Sequence, residues 1–268
     1  MYSLVGAREI MQNLVVLTSA EGATPHTFPE LRRAYRALLL ATPRRELGED
    51  PSFVGDGDEL AELVRGFDLP QRQGDGATPA PAWRLEKAVS GWRHLRQQDE
   101  ALGTIAATVV GTVFVTGADW AGSMSDHKHI GTVWLMPGRS WHMAEVTEAY
   151  VHELTHTLLF LDERRYGHFL PGSANVRVRS AIRQDDREYP GVVHSMLVAA
   201  ELLDWRVRHH IPDEACRRLH GPTAALRMRA AEAHEQIVAE DRRHNLLTPR
   251  MRELVERAGH TLYAPAQA

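Results

Sequence analysis

The chain has 268 residues, with 31 basic and 35 acidic side chains and a formal net charge of -4. That is ample length to bury a core, and the charge leaves no basic footprint, so nucleic acid is not an expected partner. A single cysteine, Cys216, excludes an intrachain disulfide framework, and no run of about 18 apolar residues occurs that would span a membrane.

The elements follow in chain order. The apolar residues Leu4, Val5, Ile10, Met11, Leu14, Val15 and Leu17 fit an amphipathic helix, and the segment lacks the basic start and apolar core of a signal peptide. A cytoplasmic location is therefore expected. Pro29 begins a second helix through Leu40, with Thr27 as its cap. A short helix is expected over Asp58 to Phe67, and a linker over Leu69 to Pro81. Trp83 to Gln98 reads as a further helix. Residues 1–80 are thus expected to form a helical N-terminal region, and residues 81–268 the catalytic region, packed as one unit overall.

The pattern then changes. Val109 to Thr116 is rich in β-branched residues and bounded by Gly117, so it reads as a strand. Gly122 to Asp126 reads as a Ser-bearing loop. Ile130 to Met136 is a second strand stopped by Pro137-Gly138, and the two strands are expected to pair antiparallel. Ala144 to Leu161 is a helix, as are His194 to His209, Pro222 to Asn245 and Pro249 to Ala258. The fold class expected is α+β and mostly helical, with a zincin-like metal-binding helix beside a small antiparallel sheet. In that arrangement a strand bordering the cleft pairs with an extended peptide, and Ile130 to Met136 is the candidate.

The chemistry concentrates in His152-Glu153-Leu154-Thr155-His156. On a helix, residues i and i+4 stack on one face about 6 Å apart, so two imidazoles hold one divalent ion with Glu153 beside its open positions. Val151, Leu154, Leu158 and Leu161 form an apolar stripe, while His152, His156 and Glu163 occupy the other side. A catalytic metal needs a third protein ligand. The metzincin continuation would place Gly at 159 and His at 162, where this chain has Leu159 and Asp162. Three candidates remain: His194, His168 in the stretch after the motif, and Glu201 seven residues beyond His194. Upstream of His194 runs a charged segment containing Arg177, Arg179, Arg183, Asp185, Asp186 and Arg187. A guanidinium there suits a dicarboxylate co-substrate, which it binds through two parallel hydrogen bonds. Ser123 and Ser125 can add hydroxyl donors.

Three segments together resemble the α-ketoglutarate-dependent HExxH-type peptide β-hydroxylases: Thr112 to Gly117 with Ile130 to Leu135, Val151 to Glu163, and Arg183 to His194. The resemblance covers roughly residues 105 to 210. It implies iron(II) held by His152, His156 and His194, with oxygen and α-ketoglutarate at the remaining positions. It further implies Arg187, or Arg183, on the distal carboxylate of α-ketoglutarate, and hydroxylation of a β-carbon in a peptide substrate. The alternative is a zinc peptidase with Glu153 as general base for a metal-bound water.

Overall fold

The motif helix is the longest element of the fold, and its sequence explains where it starts and stops. In the computed structural model, which describes residues 1–19, 25, 27–39, 50–67, 78–118 and 122–264, nine α-helices accompany a four-stranded sheet and a two-stranded ribbon. No helix among the described residues is long and apolar enough to cross a membrane. Contacts divide the chain into two compact units, one of Ala7–Leu161 and one of Met1–Gly6 with Asp162–Ala268.

The first unit takes most of helix α1 (Tyr2–Ser19), which is interrupted at Gly6. Helix α2 (Phe28–Leu39) is opened by a capping box: the Glu30 amide donates to Thr27 Oγ1 at 3.4 Å and the Thr27 amide to Glu30 Oε2 at 3.1 Å. Strand β1 (Ser52–Val54) and helix α3 (Gly57–Gly66) follow. Residues 69–77 of the expected linker lie outside the described residues. Helices α4 (Ala82–Gln98) and α5 (Glu100–Val109) come next, the second capped by Asp99, which accepts from the Leu102 amide at 2.9 Å. The strand expected from Val109 is therefore only Thr112–Phe114 (β2). The small residues Ala101, Ala106 and Ala107 let a helix continue to Val109 despite its β-branched end.

Two expectations about the sheet are corrected. Gly122–Ser125 is a strand, β3, rather than a loop. It pairs antiparallel with β4 (Thr132–Met136), whereas β2 pairs parallel with β4. The reason is the reversal at β3: β3 runs back along the sheet, β4 turns again and inserts beside β2, giving the order β1-β2-β4-β3. Every residue of β4 is buried and it lies between β2 and β3, so β4 is an interior strand and not a docking edge; the edges are β1 and β3. Val54, Leu60, Phe67, Phe114, Trp134 and Met136 form the core on this side.

Helix α6 (Met143–Tyr166) begins where Glu145 Oε2 accepts from the His142 amide at 2.9 Å. Val151, Leu154, Leu158 and Leu161 are all buried, as their spacing predicts. Helix α4 packs closely on it: Tyr150 donates to the Ala88 carbonyl at 2.8 Å and meets Trp92 edge-on. Gly91 permits this approach, since a Cβ there would lie 2.3 Å from Val146 Cγ1. At the other end Gly167, with φ of 66°, stops α6 and returns its amide to the Glu163 carbonyl.

The second unit centres on α7 (Tyr189–Arg208), whose Val192, Val193, Met196, Leu197, Leu202 and Trp205 are fully buried. It packs against α8 (Thr223–His244) and α9 (Pro249–Tyr263). The helix starts five residues before His194, because Pro190 suits a first helical turn and the apolar run begins at Tyr189. The charged segment ahead of it is a hairpin of β5 (Arg177–Arg179) and β6 (Asp186–Glu188).

Candidate metal centre

His152 and His156 lie side by side on α6, with ring centroids 5.0 Å apart. Two imidazoles sharing an ion about 2.1 Å from each nitrogen, at near-right angles, bring their centroids to about 4.5–5 Å. The pair therefore has the separation that one ion requires. His156 stacks on Phe160 at 5.9 Å, which restricts its ring. Glu153 is 1 % exposed. Its Oε2 accepts from Ser125 Oγ at 2.7 Å, while Oε1 lies 3.8 Å from His152 Nε2 and has no hydrogen-bond partner among the described residues. A buried carboxylate oxygen left without a donor is costly, and here it lies beside the histidine pair. Ser125 belongs to the edge strand β3, so the strand and the motif helix are joined at this carboxylate.

In the second unit the structure brings together Glu163, His168 and His194, whose ligand atoms all lie within 4.8 Å of one another. His168 follows the Gly167 turn and is fully buried. Its Nδ1 is 3.3 Å from His194 Nε2, and its Nε2 is 2.9 Å from Asp162 Oδ2. Arg250 grips the same carboxylate through Nε at 3.0 Å and Nη2 at 2.7 Å. Burial alone would push the Asp162 carboxyl upward, but the hydrogen bonds from His168 and Arg250 outweigh it and hold Asp162 below the ordinary range.

The other expected residues are placed elsewhere. Glu201 is buried and its oxygens are taken: the Ser3 amide donates at 2.9 and 3.1 Å, Ser3 Oγ at 2.8 Å, and the Met1 amine completes the set. Arg187 is about half exposed on β6 and holds Asp185 by a two-pronged pair, Nε to Oδ1 at 2.8 Å and Nη2 to Oδ2 at 3.2 Å. That guanidinium keeps the Asp185 carboxyl below its usual value. Arg183 is exposed in the hairpin turn, next to Gln184 with φ of 61°. Away from all of these, α8 and α9 border a cleft of about 790 Å³ lined by His234, Asp241, Arg252, Val255 and Tyr263, and no candidate ligand faces it.

Two features of this cluster carry little signal in the sequence. Glu163 shares the histidine face of α6, eleven residues or three helical turns from His152, but that spacing alone does not mark it as a ligand. The Asp162–His168 pair had no local signal. No protein-family model and no curated protein matches the chain.

Proposed function

We propose that the chain is an iron(II)- and α-ketoglutarate-dependent oxygenase that hydroxylates a β-carbon of a peptide side chain. The observation that carries the reading is the His152–His156 pair on α6, spaced for one ion and flanked by a buried carboxylate. The arrangement of β3 as an antiparallel edge strand joined to the motif helix through Ser125 and Glu153 supports a zincin-like site. The choice of iron over zinc rests on the resemblance to the peptide β-hydroxylases, which also assigns His194 as third ligand.

In this reading His152 and His156 bind and orient the metal. Bound iron supplies the coupling of oxygen to α-ketoglutarate decarboxylation: one oxygen atom enters succinate, the other the substrate β-carbon, and CO₂ leaves. Glu153, held by Ser125, presents its other oxygen beside the metal positions and orients a polar group there. Arg187 already binds a carboxylate with both prongs, that of Asp185, and exchanges it for the distal carboxylate of the co-substrate. Strand β3 offers an unpaired edge to an extended peptide.

Glu153 gives a second reading its support. A buried carboxylate oxygen with no donor, next to two metal-binding imidazoles, is also what a zinc peptidase uses as general base. One experiment separates the two. The protein is reconstituted anaerobically with iron(II), then given α-ketoglutarate, oxygen and candidate peptides, and succinate is measured. Succinate formation lost in His152→Ala and in His156→Ala supports the oxygenase. No succinate, with tight zinc and peptide cleavage abolished by Glu153→Gln, overturns it.

A further inference from the structure

We propose that Glu163, His168 and His194 form a chelating set in their own right, binding one divalent transition-metal ion within the second unit. The inference goes beyond the oxygenase reading and differs from it at one residue: His194 here serves Glu163 and His168 and not the His152–His156 ion.

The first argument is distance. Two nitrogens bound to one ion at about 2.1 Å, with angles of 90–110°, stand about 3.0–3.4 Å apart. His168 Nδ1 and His194 Nε2 are 3.3 Å apart, and one ligand atom from each of Glu163, His168 and His194 lies within 4.8 Å of the others. The same 3.3 Å is long for a hydrogen bond between two ring nitrogens.

The second argument is the arrangement behind His168. The Asp162 carboxylate is held by Arg250 Nη2 at 2.7 Å and faces His168 Nε2 at 2.9 Å. With Nε2 engaged there, the other ring nitrogen, Nδ1, is the one that faces His194. A carboxylate behind an imidazole is how proteins fix the tautomer of a metal-binding histidine. Here the carboxylate is itself anchored by a guanidinium, so His168 reaches the cluster with little freedom left to lose.

The third argument is chemistry. Two imidazoles and one carboxylate are the donor set that holds non-haem iron(II) with positions left open, and it also accepts cobalt(II), nickel(II) and zinc(II). Glu163 is half-buried, whereas His168 and His194 are buried. The exposed side of the cluster thus carries the negative ligand, which gives an incoming cation a route.

Cobalt(II) titration of the full-length protein tests the assignment, read by visible absorption and by equilibrium dialysis. Glu163→Gln and His168→Asn are each expected to weaken cobalt binding at least tenfold. The ion that these variants affect should remain in the His152→Ala/His156→Ala double variant. Far-UV circular dichroism and thermal melting run in parallel, and Glu163→Gln keeps the test valid if the buried His168 variant does not fold. Unchanged affinity in Glu163→Gln overturns the proposal, as does complete loss of cobalt from a folded double variant. Absence of succinate in the oxygenase assay bears on neither result, so the two readings fail separately.

Discussion

At the scale of single residues, Glu153 is the most constrained group of the first unit. One oxygen is satisfied by Ser125 and the other is buried without a donor. Among the described residues Ser125 is the side-chain donor on this carboxylate, and Ser125→Ala should cost about 1–3 kcal/mol of stability in urea unfolding. Metal stoichiometry should not change, because Ser125 touches the carboxylate and not the imidazoles. A Ser125→Ala protein as stable as the parent would show that Glu153 does not depend on this bond. On the oxygenase reading proposed above, Arg187→Ala is expected to raise KM for α-ketoglutarate several-fold at unchanged iron content; an unaltered KM would remove Arg187 from the proposed co-substrate site. The histidine pair was legible from the sequence because both residues lie on one helix, where spacing alone sets direction. Ser125 was read as a donor to a co-substrate and is found on Glu153, twenty-eight residues away, because only sheet pairing brings β3 beside α6.

At the scale of elements, the close packing of α4 on α6 gives a sharp expectation. Gly91→Ala gains about 1 kcal/mol of helix propensity. It also places a methyl 2.3 Å from Cγ1 of Val146, a β-branched and fully buried side chain that cannot rotate away cheaply. Overpacking of about 1–3 kcal/mol should prevail, lowering the urea midpoint. An equal or higher midpoint would show that the two helices separate freely. The turn between α8 and α9 depends on Asp241, which accepts from the Leu246 and Leu247 amides at 2.8 Å each and from Arg252 Nε at 2.6 Å. Helix positions were readable because the 3.6-residue period is local, and α1, α2, α3, α4, α6, α8 and α9 lie close to where the sequence placed them. Strand direction was not. Whether β2 and β4 run parallel depends on where β3 goes, and no residue within either strand encodes that.

At the scale of the whole molecule, acid should destabilise the fold in a definite direction. Burial pushes the Asp241 carboxyl up, but Arg252 and the amides of Leu247 and Leu246 outweigh it and hold it low. Asp126 is held low in the same way, burial being outweighed by the Lys128 amide and the two neighbouring histidines. The Asp213 carboxyl is held down by the hydroxyl and amide of Thr223. Each is depressed in the folded protein relative to an unfolded value near about 3.9. Their contribution is complete above that value and is lost as pH falls through the folded values. The urea midpoint should therefore be insensitive to these groups near pH 6 and should fall below about pH 4. Asp241→Asn should flatten that acid slope; a slope unchanged by the substitution would show that Asp241 is not among its causes.

The sequence by itself determined the periodic features: which segments are helical, which face of α6 is apolar, and that His152 and His156 point the same way. These follow from local geometry, in which residues a few positions apart decide the outcome. The tertiary structure alone decided which distant groups meet. It set β3 antiparallel at the sheet edge and tied Ser125 to Glu153. In the second unit it engaged Glu201 with Ser3 and placed Glu163, His168 and His194 around one point, with Asp162 and Arg250 behind them. Those contacts join residues far apart in the chain, where spacing carries no directional information and packing of whole elements does.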